Sequence, residues 1–187
     1  HEIYGGLDAQ RLYDESFEEQ EIEPVAGLGI RPKPMFVCGR QWTAATTADG
    51  RVTVDRCEPH LGAVAVALEP GKGSASVANA GLNGWGIPCR VGKRMQGRFF
   101  AKGEVGSLSV SLRRRNGGQV YATHPVTLRP TNDWQRVDFR LAPDTTDPAA
   151  EFAICAADGG KVLLQSYDRE FTTQTVPMSD LLVMGKC

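Results

Sequence analysis

The 187-residue sequence carries almost no net charge and contains no long apolar run. Its 21 basic residues (Lys and Arg) and 22 acidic residues (Asp and Glu) leave a formal net charge of −1. This balance provides no electrostatic field for nucleic acid or an anionic membrane, so we expect neither as a partner. No stretch approaches the ~18 consecutive apolar residues of a transmembrane helix. The chain begins at His1 without a charged-then-apolar leader, so we expect a piece cut from a longer protein.

Cysteine pairs and nucleophile motifs are also missing. The five cysteines (Cys38, Cys57, Cys89, Cys155 and Cys187) are widely spaced and none forms a CxxC pair. Their spacing argues against a zinc ribbon or a CxxC redox motif. It favours mostly free, buried thiols, with at most one disulfide. No Ser or Cys stands in a recognisable nucleophile motif with His, so nothing supports covalent catalysis by this chain.

Two-residue alternation of apolar and polar residues replaces helical periodicity from about Arg51 to Asp168. The stretch LGAVAVALEPGKG and the stretches RMQGRFFAKG and GSLSVSLRRRNGG all follow this pattern. No segment between them is long enough for a helical crossover, so we predict an all-β, antiparallel β-sandwich of the jelly-roll type. We assign the sandwich to residues 36–170, an irregular or helical segment to residues 1–35, and a connector to residues 171–187.

Glycine-rich triplets mark two turns within this pattern. Asn116-Gly117-Gly118 predicts a tight β-hairpin. Asp158-Gly159-Gly160 predicts a second turn, which would separate the strand EFAICAA from the strand KVLLQSYD.

The polar positions of these strands supply the candidate ligand contacts. If the alternation holds, five residues point away from the core: Arg98, Phe100, Ser109, Ser111 and Arg113. An aromatic ring and guanidinium groups beside hydroxyls suit a saccharide, because rings stack on sugar C–H bonds and planar donors bridge neighbouring hydroxyls. The alternative is that these residues form an ordinary solvated sheet face.

Trp85 lies between two glycines in the sequence NGWGI. It could be an exposed platform for a flat ligand, or a hydrophobic plug that closes the core under a loop. Both interpretations remain open from the sequence. Trp42 and Trp134 precede or begin strands, which favours core or edge packing for both.

Metal sites have only weak support, and no cofactor is required. A structural calcium between Glu18 and Asp168 would use the carboxylate ligands that this ion prefers. A copper site of the polysaccharide-monooxygenase kind would need His1 with His60 or His124. A cut from a longer chain explains His1 better than copper does. The early acidic residues are best interpreted as a solvated segment, because a glycosidase needs two opposed carboxylates in a cleft.

Several of these stretches resemble a known family. IYGGLDAQRLYDESFEE resembles a segment of α-L-arabinofuranosidase-type glycoside hydrolases of family fifty-one. Four later stretches are similar to strands of their jelly-roll module, which belongs with carbohydrate-binding modules of the family four and nine type. These are Trp85-Gly86-Ile87, Phe99 to Lys102, Val110-Ser111-Leu112 and Trp134 to Val137.

The resemblance implies a non-catalytic accessory module that targets a linked glycoside hydrolase to plant-type polysaccharide. An oligo- or polysaccharide and the parent catalytic domain would be its partners, and a secreted or periplasmic location would follow. The barrel glutamates of such enzymes have no counterpart in this chain. The alternative is a structural module that braces the catalytic barrel without binding sugar.

Overall fold

The computed structural model describes residues 42–56, 60, 64–81 and 84–165, together with the backbone of residues 174–177. Ten β-strands occupy these ranges: β1 (Trp42–Thr46), β2 (Arg51–Asp55), β3 (Ala65–Glu69), β4 (Ser74–Asn79), β5 (Ile87–Cys89), β6 (Lys93–Arg113), β7 (Val120–Val126), β8 (Gln135–Leu141), β9 (Asp147–Gln165) and β10 (Gln174–Pro177). None of the described segments is a helix of the length and hydrophobicity needed to cross a bilayer.

The strands form two antiparallel layers, which confirms the predicted all-β sandwich. Sheet 1 has the order β1-β4-β9-β6-β7. Sheet 2 has the order β2-β3-β9-β6-β8. Each of the two longest strands, β6 and β9, contributes one half to each layer. The short β5 pairs with the first residues of β9, and β10 pairs with the start of β6.

The shared strands bend where they pass from one layer to the other. In β9 the bend falls at Asp158, Gly159 and Gly160, which all have positive φ angles. In β6 the register shifts between Val105 and Ser107. The predicted turn at Asp158–Gly160 is therefore wrong as a chain reversal: the backbone conformation is left-handed there, but β9 continues along β6 on both sides of the bend.

The core lies between the two layers. Phe139 of β8 packs against Phe152 of β9, with ring centroids 5.3 Å apart, and so joins sheet 2 to sheet 1. Trp42 meets Phe152 edge-on at 6.3 Å and is 3% exposed, which confirms the predicted packing role of Trp42. Gly97 faces the same core, where a Cβ atom would stand 2.5 Å from the Phe139 ring. The inward residues also include the predicted apolar positions Val66, Leu68, Met95, Phe99, Leu108, Val110 and Leu112.

The predicted hairpin at Asn116-Gly117 is present between β6 and β7. Asn116 and Gly117 have φ angles of 63° and 74°. The Arg114 amide donates to the Gln119 carbonyl at 2.8 Å and closes the turn. This turn places backbone N–H groups beside the outer face of sheet 1.

The positions of the described strands can be compared with the three predicted segments of the chain. β1 to β9 lie within residues 36–170. β10 lies inside the predicted connector 171–187 and pairs with β6 through Val176 and Arg94. The predicted N-terminal segment 1–35 lies outside the described residues.

Candidate functional site

A shallow groove of about 500 Å³ runs over the outer face of sheet 1. We call it the sheet 1 groove. Its floor is built from strands β1, β4 and β9, and its far end from the β6–β7 hairpin. The principal lining residues are Thr43, Ala45, Ser76, Arg113, Asn116, Glu151 and Cys155.

The floor of the groove consists of small side chains in register. Ala45 of β1 faces Ser76 of β4, which faces Cys155 of β9, which in turn faces Ser109 of β6. The next row runs in the same way from Thr43 to Ser111 through two alanines. Because alternate residues of a strand point to the same face, these rows form one flat surface, crossed by several strands spaced ~4.8 Å apart. A surface of this shape can admit an extended ligand.

An ion pair closes one end of the groove. The Arg113 Nε donates to Glu151 Oε1 at 2.7 Å, and the two side chains are only 17% and 7% exposed. The backbone N–H groups of Asn116 and Gly117 also donate to the Glu151 carboxylate, at 3.0 and 3.1 Å. Three donors therefore fix this carboxylate, and the carboxylate in turn fixes the Arg113 guanidinium, whose terminal nitrogens remain as further donors.

The hydroxyl groups of the floor are oriented by the backbone. Thr43 Oγ1 donates to the Ala78 carbonyl at 3.4 Å, and Ser76 Oγ donates to the Ala45 carbonyl at 3.3 Å. A hydroxyl that donates once keeps its lone pairs for accepting. The groove thus combines fixed acceptors on its floor with guanidinium donors at its end, which is the complementarity that sugar hydroxyls require.

Trp85 lies in the loop at the same end of sheet 1 as the ion pair. The neighbouring Gly84 approaches the Arg115 guanidinium, next to the hairpin residue Asn116. On the other side, Gly86 packs directly on Ala149, two residues before Glu151. The indole is 71% exposed, so it does not act as a plug against the described residues. It presents a broad ring surface to solvent.

A hydrogen-bonded cluster anchors the strand on which that loop rests. Asp147 Oδ1 accepts from the Ala149 N–H at 2.8 Å, and Asp147 Oδ2 accepts from the Tyr121 hydroxyl at 2.7 Å. The Ala149 N–H, followed by the Tyr121 hydroxyl, lowers the pKa of the Asp147 carboxyl. The bond to Asp147 in turn raises the pKa of Tyr121. The start of β9, on which Gly86 packs, is thereby tied to β7.

Cys155 provides a thiol within the groove. It is free and partly buried, and burial raises its pKa while the nearby Arg113 charge opposes the shift. Cys89, the other described cysteine, is buried and forms no disulfide. Cys38, Cys57 and Cys187 lie outside the described residues.

A second polar surface lies on the outer face of sheet 2. Arg98 of β6 stands opposite Asp138 of β8, and Phe100 stands opposite Arg136. The ring of His60 covers part of Phe100, with centroids 4.5 Å apart, and contacts the half-buried Trp134 at 5.6 Å. Phe100 is consequently half-buried, and less of its ring is open to a ligand than the alternation alone predicts.

The bend in β6 divides the predicted ligand contacts between the two outer faces. Ser109, Ser111 and Arg113 belong to sheet 1, with Trp85 at its end. Arg98 and Phe100 belong to sheet 2, which faces the other way. Ser111 is 9% exposed and Ser109 is half-buried.

The sequence analysis did not single out Glu151 and identified Asn116 only as a turn residue, although both residues shape the end of the groove. Glu151 pairs with a residue 38 positions away, so its role follows only from the register of β6 with β9.

The predicted calcium and copper sites each include residues outside the described part of the chain. Glu18, Asp168 and His1 lie outside it, so the calcium and copper sites stay predictions. His60 lies on the Phe100 ring, and His124 belongs to β7 of sheet 1, where it stands opposite Val110. Within the described ranges, no three His, Cys, Asp or Glu side chains gather in a way that could hold a metal ion.

Comparison with known proteins identifies solved structures with a similar fold. No protein-family profile and no curated protein matches the sequence. An arabinose-bound GH51 α-L-arabinofuranosidase superposes with a TM-score of 0.64 at 20% identity, over 89% of this chain and 27% of that chain. The CBM22-1 xylan-binding domain of Xyn10C from Paenibacillus barcinonensis superposes with a TM-score of 0.50 at 15% identity, over 84% of this chain and 94% of that chain.

This chain therefore spans about a quarter of the arabinofuranosidase and nearly all of the xylan-binding domain. The shared feature is the β-sandwich found in carbohydrate-binding modules.

Proposed function

We propose that this chain is a non-catalytic carbohydrate-binding module that holds a neutral plant-type polysaccharide in the sheet 1 groove. The observation that carries the proposal is the combination at one end of sheet 1. There, the Arg113–Glu151 pair stands at the end of a hydroxyl-lined groove, and a 71% exposed tryptophan lies beyond it. Flat rings bind sugar C–H faces, and fixed donors and acceptors bind sugar hydroxyls.

The parent protein in this proposal is a glycoside hydrolase of the arabinofuranosidase type, with arabinose- or xylose-containing polysaccharide as the ligand. The family four and nine resemblance and the fold shared with part of the GH51 enzyme support this choice. A tethered module raises the local concentration of its catalytic domain at an insoluble surface without any new chemistry.

Affinity electrophoresis in native gels containing arabinan or xylan tests the binding. We expect the polysaccharide to retard the wild-type protein and Trp85→Ala to lose most of the retardation. Because the indole is exposed, its removal should leave the unfolding curve unchanged. Val91→Ala is the matched control, since Val91 is also exposed (59%) and is tied to Thr146, roughly 15 Å from Glu151 along β9. This control should be retarded like the wild type.

The alkylation rate of the Cys155 thiol shows whether the bound ligand lies in the sheet 1 groove. Alkylation of Cys155, followed by mass spectrometry of the peptide that contains it, should slow several-fold when a retarding polysaccharide is present. If polysaccharide retards the protein but leaves the rate of Cys155 alkylation unchanged, the ligand binds outside the groove. Absence of retardation on every polysaccharide would contradict the binding function and favour a structural module that braces a catalytic domain.

A further inference from the structure

Strand β6 has a gap in its pairing on the side away from β9. On that side, β8 pairs with β6 as far as Ala101, and β7 begins to pair at Leu108. Within the described part of the chain, no backbone hydrogen bond joins residues 103–107 to the β7–β8 connection. A cleft of about 340 Å³ lies at this gap, between residues 103–108 on one wall and residues 126–130 on the other. We call it the side cleft.

The gap leaves backbone groups of β6 available to a ligand in the side cleft. Alternate residues of an antiparallel strand direct both their N–H and their C=O group to the same side. Because β9 takes up the groups on one side of β6, the alternate residues within 103–107 direct theirs to the cleft. Each such residue offers one donor and one acceptor.

Close packing and hydrogen bonds fix both walls of the cleft. On the β6 wall, Gly103 has a φ angle of +119°, and a Cβ atom there would collide with the Lys161 carbonyl oxygen of β9. On the other wall, the buried Gln135 side chain holds the backbone of Arg129. Gln135 Oε1 accepts from the Arg129 N–H at 2.8 Å, and Gln135 Nε2 donates to the Arg129 carbonyl at 2.9 Å. Walls fixed in this way lose little freedom when a ligand binds.

The lining combines an apolar surface with one charge of each sign. Val105, Val126 and Leu128 are half-buried and pack against the core. Glu104 and Arg129 are the two charged residues of the lining, and both are exposed. Neither side chain forms an ion pair within the described part of the chain. The lining is therefore neutral as a whole, although it contains a carboxylate and a guanidinium.

The lysine nearest to Glu104 in the sheet is engaged elsewhere. Lys161 stands opposite Glu104 in the register of β6 with β9. Its ammonium group instead lies 3.6 Å from the Asp55 carboxylate and 4.0 Å from the Glu69 carboxylate. The Glu104 carboxylate thus keeps its capacity to accept hydrogen bonds from a ligand.

We propose that the side cleft is a second binding site, which takes one neutral sugar residue. The charge balance carries the preference for a neutral ligand, because Glu104 repels an anion and Arg129 repels a cation. Sugar hydroxyls can donate to the carboxylate and to backbone carbonyls, and they can accept from the guanidinium and from backbone N–H groups. The C–H groups of the sugar ring can pack on the valine and leucine side chains.

The size of the cleft limits the ligand. Its volume of about 340 Å³ lies at the lower end of the ~300–1,000 Å³ range of small-molecule sites, which suits a single ring better than a polymer segment. The side cleft shares no lining residue with the sheet 1 groove. The choice of a sugar among neutral polyhydroxylated molecules rests on the proposed function.

Titration of the isotope-labelled full chain with free L-arabinose and D-xylose, followed by amide NMR, tests the site. We expect saturable shifts of the amides of residues 103–107 and 127–129 with at least one of the sugars. The dissociation constant should be on the order of 10 mM, as is typical of a ligand with about ten non-hydrogen atoms. Glu104→Gln and Arg129→Gln should each raise it about fivefold, the effect of one net hydrogen bond. Arg90→Gln is the matched control, since Arg90 is exposed in the turn before β6 and does not line the cleft.

A charged sugar separates recognition in the cleft from a general loosening of its walls. Glu104→Gln leaves Arg129 as the one charge of the lining. D-glucuronate should therefore bind this variant several-fold more tightly than it binds the wild type, while the neutral sugars bind the variant more weakly. A variant with damaged walls would lose affinity for both kinds of sugar.

Three results would overturn the proposal: no shift of the cleft amides with either neutral sugar, equal effects of Arg90→Gln and Arg129→Gln, or no gain in glucuronate binding by Glu104→Gln. The proposed function fails separately. Trp85→Ala should abolish retardation by arabinan or xylan and leave the sugar-induced shifts of the cleft amides unchanged. Cleft shifts without any retardation by polysaccharide would contradict the groove function alone.

Discussion

Two arginine–carboxylate pairs in this protein have similar N–O distances but differ in burial. The Arg113–Glu151 pair has an N–O distance of 2.7 Å, with side chains 17% and 7% exposed. The Arg136–Asp138 pair has an N–O distance of 2.9 Å, with side chains 53% and 60% exposed. Neutralising each carboxylate in turn, with Glu151→Gln and Asp138→Asn, compares a buried carboxylate that accepts from three donors with an exposed one, through the free energy of unfolding.

The structure sets the expected magnitudes. Glu151→Gln removes a charge-assisted hydrogen bond worth ~1.5–3 kcal/mol and leaves Arg113 without its counter-charge, for which a fully buried pair would lose ~3–5 kcal/mol. The Gln oxygen can still accept from one N–H group of the hairpin, so we expect a net loss of about 2–3 kcal/mol. Asp138→Asn should cost at most ~1 kcal/mol, because solvent screens an exposed pair.

Urea unfolding at pH 7, followed by tryptophan fluorescence, measures both changes. The buried Trp42 contacts Phe152, directly after Glu151, and reports on this part of the core. We expect a lower unfolding midpoint for Glu151→Gln with an unchanged dependence on urea. Equal losses for the two substitutions, or a neutral Glu151→Gln, would refute the reasoning, because burial and the additional backbone donors of Glu151 would then add nothing to the strength of its ion pair.

Two further substitutions and one pH-dependent measurement probe the β-sandwich that supports the candidate site. Gly97→Ala should destabilise the protein by ~1–3 kcal/mol in urea unfolding, because the new Cβ would stand 2.5 Å from Phe139, and Phe139→Leu should recover part of the loss. Gly160→Ala should lower the melting temperature in calorimetry, since φ is +82° and the Cβ would meet the Glu104 carbonyl; an unchanged temperature would contradict the strained bend. Burial raises the pKa of Cys155, so the pH midpoint of its alkylation rate should lie higher in the folded protein than in the urea-unfolded chain. The contribution of this thiol to the free energy of unfolding should be lost as the pH rises through the pKa of the folded state.

Periodicity predicted which residues lie inside the sandwich. Val66, Met95 and Leu112 are buried as the alternation requires, because a strand with one covered face can take only one register relative to the core. The glycine triplet at Asp158–Gly160 was harder to interpret. Glycine and aspartate indicate a left-handed backbone, which the structure has, but not whether the chain then reverses or merely bends.

The functional surfaces were less accessible to sequence reasoning because they depend on strand pairing. Arg113 is recognisable as an outward-facing arginine, yet its partner Glu151 follows only once β6 and β9 are in register. The exposure of Trp85 depends on how Gly86 packs against Ala149, a contact between residues 63 positions apart in the sequence. Local patterns contain no information about either contact.

Strand β6 explains why a single predicted site becomes two surfaces. Arg98 and Arg113 lie 15 positions apart in one strand, so uninterrupted alternation would put them on opposite faces of a single sheet, yet both point away from the core. The strand, however, changes layers at the register shift between Val105 and Ser107, so outward means opposite directions on its two sides. A ligand in the sheet 1 groove therefore cannot reach Arg98 across the core, and the outward residues of one strand contribute to two separate surfaces.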